Sequence, residues 1–289
     1  MFPVMPPTAP TFVLVHGAFA NSFSFAPLQA ELALRGHRSL AVDLPGHGFE
    51  ATFPAAYQAP QDAAGLATTP GAIKGVTLAD NAARVIEVLE RAREHGPVVL
   101  VGHSRGGVTL TAVANARPDL VDRLVYVSAW APVELEAAAY NAEPEMASVD
   151  AGALVGALAA NPADVGLLRC NFRTADPEVV AGLKAVFHAD GTDDEFRVFL
   201  NTFQPDENLD AGTADDVAQA ATWGTVPRTY VRLTDDASLP LAMQDRLIRE
   251  GDTLTPDNPY DVRTLSSSHL GWLVHPAPAA ELLAEVAAR

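Results

Sequence analysis

The 289-residue chain holds one cysteine, few basic residues and no long uncharged apolar run. Each shortage excludes something. Cys170 has no partner for an intramolecular disulfide, and a zinc site built on several cysteines is out of reach, so an interior thiol is the expectation. Lys and Arg number 19 against 36 Asp and Glu, a formal net charge of −17. Binding a phosphate backbone needs clustered cations, so no nucleic-acid partner is expected. Met1 to Pro7 carries neither the basic nor the apolar region of a signal peptide, and no stretch is long and apolar enough to span a membrane. No membrane association and a cytoplasmic location are therefore expected. The length admits two domains or one α/β domain with an insertion.

After a Pro-rich lead over residues 1–10, Thr11 to Val15 is a continuous apolar run, the pattern of a strand buried on both faces of a parallel sheet. Similar runs lie at Ser39 to Val42, Pro97 to Val101, Leu124 to Val127, Arg228 to Leu233 and Val262 to Leu265. Helical periodicity separates the first four, over Phe25 to Arg35, Thr77 to His95 and Val108 to Ala116. Strand and helix in alternation predict an α/β fold with a mainly parallel six-stranded sheet flanked by helices. The alternation stops after Trp130 and resumes near Val226. In between, Val179, Val180, Leu183, Val186 and Phe187 share one helical face, as do Phe196, Phe199, Leu200 and Phe203. A compact domain does not tolerate so long a structureless loop. Residues 131–225 are therefore read as an inserted helical cap, and residues 1–130 with 226–289 as the core that carries it. Phe49 to Gly75 reads as an irregular connection.

Gly102-His103-Ser104-Arg105-Gly106 is a G-x-S-x-G directly after a buried strand and before a helix. The bare pattern arises by chance about once in ten proteins this long; its context is what matters. A nucleophile at the tip of a strand sits on a sharp, strained turn, and the residues two before and two after it lie too close to backbone for a side chain. Gly102 and Gly106 meet that demand. A serine hydroxyl needs a base, and the base an orienting carboxylate, in the chain order Ser, Asp, His. Of eight histidines only His269 and His275 follow the last strand. His269 stands in the loop at that strand's carboxyl end, beside the nucleophile; His275, next to Pro276, reads as a surface or capping residue. Asp235 or Asp236, after the strand Thr229 to Leu233, could orient the imidazole, and Glu134 is a weaker candidate. The developing oxyanion needs two backbone N–H donors, expected from Arg105 and from Ala18, with Gly17 allowing close approach.

These motifs resemble the α/β-hydrolase superfamily, and within it the six-stranded branch of small esterases, plant methyl-ester esterases and hydroxynitrile lyases. The resemblance rests on Val13 to Ala18, Asp43-Leu44-Pro45-Gly46-His47-Gly48, Gly102 to Gly107, Tyr230 to Asp236 with Pro240, and Ser267-Ser268-His269. In that pattern the acid stands six residues after the strand tyrosine and four before the proline, which implies Asp236 rather than Asp235. Hydroxynitrile lyases of the branch carry threonine in place of Gly17 and lysine in place of Leu270, so the resemblance implies ester hydrolysis. A serine at the elbow argues against dehalogenases and epoxide hydrolases of the same fold, which use aspartate.

The expected activity is hydrolysis of a small or medium carboxylic ester or lactone through an acyl-enzyme on Ser104, with His269 as base and Asp236 as its orienter. Another reaction on the same scaffold (carbon–carbon bond hydrolysis, a cofactor-free lyase, a biosynthetic cyclase) is the nearest rival, and a ligand-binding receptor with vestigial turnover the more distant one. Phe19, Phe23, Trp130, Phe172, Phe187, Phe203 and Trp223 are candidates to line the pocket, with Phe196 and Phe199 beside them. No motif for a metal, nucleotide or flavin appears, so no cofactor is expected. The charge of −17 disfavours long-range steering of an anionic substrate. Monomer and homodimer both stay open.

Overall fold

The protein is described from a computed structural model over residues 9–288; most of the Pro-rich lead and Arg289 lie outside the described residues. In chain order the leading elements are β1 (Thr11–Val15), α1 (Ala26–Leu34), β2 (Arg38–Val42), α2 (Ala63–Thr68), α3 (Leu78–Arg93), β3 (Val98–Ser104), α4 (Gly106–Ala116) and β4 (Arg123–Ala129). There follow α5 (Ala151–Ala157), α6 (Pro162–Val165), β5 (Leu168–Arg169), α7 (Pro177–Phe187), α8 (Asp193–Thr202) and β6 (Asp206–Glu207). The chain closes with β7 (Arg228–Leu233), α9 (Leu241–Leu254), β8 (Asp261–Leu265), α10 (Gly271–Val274) and α11 (Ala277–Ala287).

Six strands form one sheet in the order β2-β1-β3-β4-β7-β8, every pair parallel. Their apolar content follows their place. β3 and β4 are central and almost wholly buried, whereas the edge strands β2 and β8 alternate exposed with half-buried residues. The two-residue period splits the sheet between two cores. Val13, Leu100, Leu124 and Tyr230 pack with Val85 and Leu89 of α3, Val113 of α4 and Leu247 of α9. Phe12, Leu14, Val101 and Val125 face the other way, against Leu28 and Leu32 of α1 and Leu283 of α11. The start of α3 is fixed by a capping box in which Thr77 and Asp80 satisfy each other's backbone N–H groups, an arrangement worth about 1 kcal/mol.

The segment between β4 and β7 holds α5 to α8, and it also holds strands. β5 and β6 pair antiparallel as a second, two-stranded sheet, too short to show as alternation in sequence. Arg169 of β5 and Asp206 of β6 form a buried fork-to-fork ion pair, 2.6 Å at both contacts. Arg169 also donates to the carbonyls of Leu66 and Thr69. The connection from Phe49 to Gly75 is thereby tied down and contains a 3-10 turn at Ala55–Tyr57 and α2, so it is less irregular than its composition suggests. Among the described residues no helix is long and apolar enough to cross a membrane.

Candidate active site

β3 ends in a sharp turn. Ser104 has φ +54, the left-handed region that residues with a Cβ rarely adopt, and the β3–β4 register shifts between His103 and Ser104. α4 begins two residues later. A Cβ on Gly102 would stand 2.6 Å from Leu110 Cδ1, and one on Gly106 2.6 Å from the Val15 carbonyl oxygen. Crowding from the first strand and from α4 is thus what demands glycine on both sides of the serine. The loop after β1 lies against Ser104 too: a Cβ on Gly17 would come within 2.8 Å of Ser104 Cβ.

Asp236 follows β7 and His269 follows β8. Both are buried, and His269 Nδ1–H donates to Asp236 Oδ2 at 2.6 Å. The same oxygen accepts from Ser128 Oγ at 2.7 Å, and Oδ1 accepts from the N–H groups of Ser238 and Leu239 at 2.7 and 2.8 Å. Four donors hold the carboxylate in one orientation. Ser128 escapes sequence reading because it is one more residue of a buried strand. Asp235 is exposed, bonded to Thr234 and Ser266. His275 is also exposed and pairs with Glu195 at 3.2 Å. Glu134 donates its backbone N–H to Tyr140 and is not on the wall of the cavity described next.

Ser104 and His269 line one cavity of about 550 Å³, together with Ala18, Arg105 and Gly17. No hydrogen bond joins Ser104 to His269 among the described residues, although both face the same cavity. Of the proposed pocket residues, Phe19, Trp130, Phe172, Phe187, Phe199 and Phe203 are on the wall, joined by Met146, Val149, Leu154 and Leu209. Three are not. Phe23 is 66% exposed on a surface 3-10 turn. Trp223 is fully buried in the core, where its Nε1–H donates to Tyr126 at 2.9 Å and Arg228 covers its ring at 3.9 Å. Phe196 faces a groove between α7 and α8.

Several buried titratable groups surround the serine. His103 lies 4.5 Å from the His269 ring, and burial, reinforced by His269, holds its pKa well below 6.5. His16 accepts from the Leu44 N–H through Nε2, which leaves the proton on Nδ1 facing the Gly17 carbonyl. Burial and then the neighbouring His47 lower its pKa to about 4. Burial opposes charge on His47 and Glu207 as well, but is outweighed. The carboxylate of Glu207 raises His47, and Arg105 followed by His47 holds Glu207 down at about 2. His47 stands in the Asp43 to Gly48 motif, whereas the burial of Glu207 within the polar run Gln204 to Asn208 leaves no signal in the sequence. The thiol of Cys170 is buried and pushed up to about 12 by that burial, an unreactive group. No cluster of three or more His, Cys, Asp and Glu that could hold a metal ion occurs among the described residues.

Residues 12–285 match the family described as the alpha/beta hydrolase family. A pyrethroid hydrolase of Sphingobium wenxiniae is 26% identical over 283 residues, covering 97% of this chain and 88% of that one. A carbendazim hydrolyzing esterase of Nocardioides sp. is 32% identical over 121 residues, 42% of each chain. A solved structure of a pyrethroid hydrolase superposes with a TM-score of 0.70 at 24% identity, covering 97% of this chain and 98% of the other. With the family's match running through both halves of the sheet and everything between them, the chain belongs to the alpha/beta hydrolase family.

Proposed function

We propose that the protein is a serine esterase that cleaves neutral carboxylic esters or lactones of small to medium size. The observation that carries this reading is the 2.6 Å bond from His269 Nδ1 to a fourfold-held Asp236, on a cavity whose wall also presents the left-handed Ser104. Asp236 fixes the tautomer that leaves Nε2 free to accept a proton, and its charge stabilises the imidazolium that forms. Ser104 Oγ attacks the ester carbon as its proton passes to His269. The tetrahedral oxyanion forms against the N–H groups of Ala18 and Arg105. Collapse expels the alcohol, which takes the proton from His269, and water then releases the acid by the same route. A relative named as a carbendazim hydrolyzing esterase and one named as a pyrethroid hydrolase support this chemistry for the chain.

Residues 131–225 act in this reading as a cap over the core formed by residues 1–130 and 226–289, and their apolar side chains set substrate choice. The volume suits a small-molecule ester. Cyanohydrin cleavage would need a free cation near the departing cyanide. Arg105, the cation on the wall, is already engaged by Asn208, Glu207 and Asp210, and Leu270 is buried. A panel of p-nitrophenyl esters tests the reading. Wild-type protein should turn over acyl chains that fit the cavity, and Ser104→Ala and His269→Ala should abolish turnover. Undiminished activity in either variant overturns the assignment.

A further inference from the structure

Phe19 follows Ala18 and stands at φ +59, a conformation that a residue with a side chain keeps only when its surroundings impose it. Both polar groups of its backbone are held by the segment around β6. Its N–H donates to Glu207 Oε2 at 2.9 Å, and its carbonyl accepts from the Gln204 N–H at 3.0 Å. The other carboxylate oxygen of Glu207 accepts from the Asn208 N–H at 2.9 Å and lies 3.4 Å from Arg105 Nη1. Glu207 therefore grips both chain segments that supply the proposed oxyanion donors.

Packing alone does not call for a charge here. Glu207 is 2% exposed, and a buried carboxylate forfeits its hydration, a cost that here is met only by its bonds to the Phe19 and Asn208 N–H groups, to His47 Nε2 at 3.2 Å and by the nearby Arg105 guanidinium. An ionised group kept at that cost beside a reacting centre points to a task there. The task the site has is to hold two N–H groups in place before charge develops, since donors that must reorient lose most of their effect.

We propose that Glu207 is a positioning residue for the oxyanion hole. Through Phe19 N–H and the Arg105 guanidinium it aims the N–H groups of Ala18 and Arg105, and because β6 belongs to the segment between β4 and β7, the hole is complete only with that segment seated. Burial raises the proton affinity of Glu207, but Arg105 and then His47 outweigh it and keep the grip ionised.

This inference rests on the esterase reading above, and one set of measurements separates the two. Glu207→Gln and Arg105→Lys are compared with wild type on p-nitrophenyl butyrate, with active sites counted by a fluorophosphonate label. Affinity for a trifluoromethyl ketone, whose adduct with Ser104 places an oxyanion in the hole, is measured beside it. Both variants should lose about ten- to a hundredfold in kcat per labelled site, keep KM within about threefold, and weaken the ketone by a similar factor. Arg105→Lys leaves Glu207 in place and carries the test where Glu207→Gln does not fold. A lower urea midpoint and fewer labelled sites, with kcat per site and ketone affinity as in wild type, overturn the proposal. Wild-type protein that neither labels nor turns over ester overturns the esterase reading and this inference with it.

Discussion

His269 and Asp236 meet through a 2.6 Å bond from Nδ1 to Oδ2, and both side chains are closed off from solvent. Asp236→Asn keeps the size of the side chain but removes its charge, and an amide N–H₂ facing Nδ1 donates to that nitrogen and favours the wrong imidazole tautomer. We expect Asp236→Asn to lose roughly 10³- to 10⁴-fold in kcat. Asp235→Asn, one residue away but exposed, should stay within about threefold. Steady-state kinetics on one ester decide it, and the opposite ranking would exchange the two roles.

The buried histidines make stability depend on pH. His16 has a folded pKa of about 4 against 6.5 for a free histidine. Between those values the unfolded chain binds a proton that the folded chain does not, so the stability is whole above 6.5 and is lost as pH falls toward 4. The difference corresponds to about 3 kcal/mol. His103 acts in the same direction, whereas the raised pKa of His47 contributes stability below 6.5 that is lost as pH rises through its folded value. Glu207, held at about 2, adds a further loss from 4.5 downward. Urea midpoints should therefore fall on acidification. In His16→Gln, which still offers an acceptor to the Leu44 N–H, the fall should be shallower; an unchanged slope would remove His16 from the account.

The aromatic residues separate into wall, core and surface. Phe187, 6.0 Å from the His269 ring, lines the cavity, so Phe187→Ala should change KM most for bulky acyl chains. Phe23→Ala should leave kcat/KM within about twofold. Trp223→Ala should cost about 3–5 kcal/mol in denaturant unfolding while sparing kcat per labelled site. A Phe23 variant with altered acyl preference would contradict this sorting.

Much of this was legible in the sequence, because the physics concerned was local. A strand buried on both faces must be apolar throughout, so Thr11 to Val15 and Val98 to Val101 show directly. The turn at Ser104 must have glycines around it, because Val15, His16 and Leu110 crowd those positions. What stayed hidden depends on packing between distant segments. Phe187 and Trp223 look alike in sequence, yet one faces the cavity and the other fills the core. Glu207, Asp206 and Arg169 look like surface charges and are buried because they pair across the chain. The β5–β6 pair, two residues a side, is too short to leave a period.

The central claim is that Ser104 becomes acylated. Intact-mass spectrometry after exposure to a fluorophosphonate, which phosphonylates the reactive serine with loss of fluoride, followed by peptide mapping and competition with an ester, tests this. The account predicts one adduct per chain, on Ser104, absent from Ser104→Ala and prevented by prior incubation with a slowly hydrolysed ester. An unlabelled wild-type protein, or a single adduct on any other residue, would contradict it.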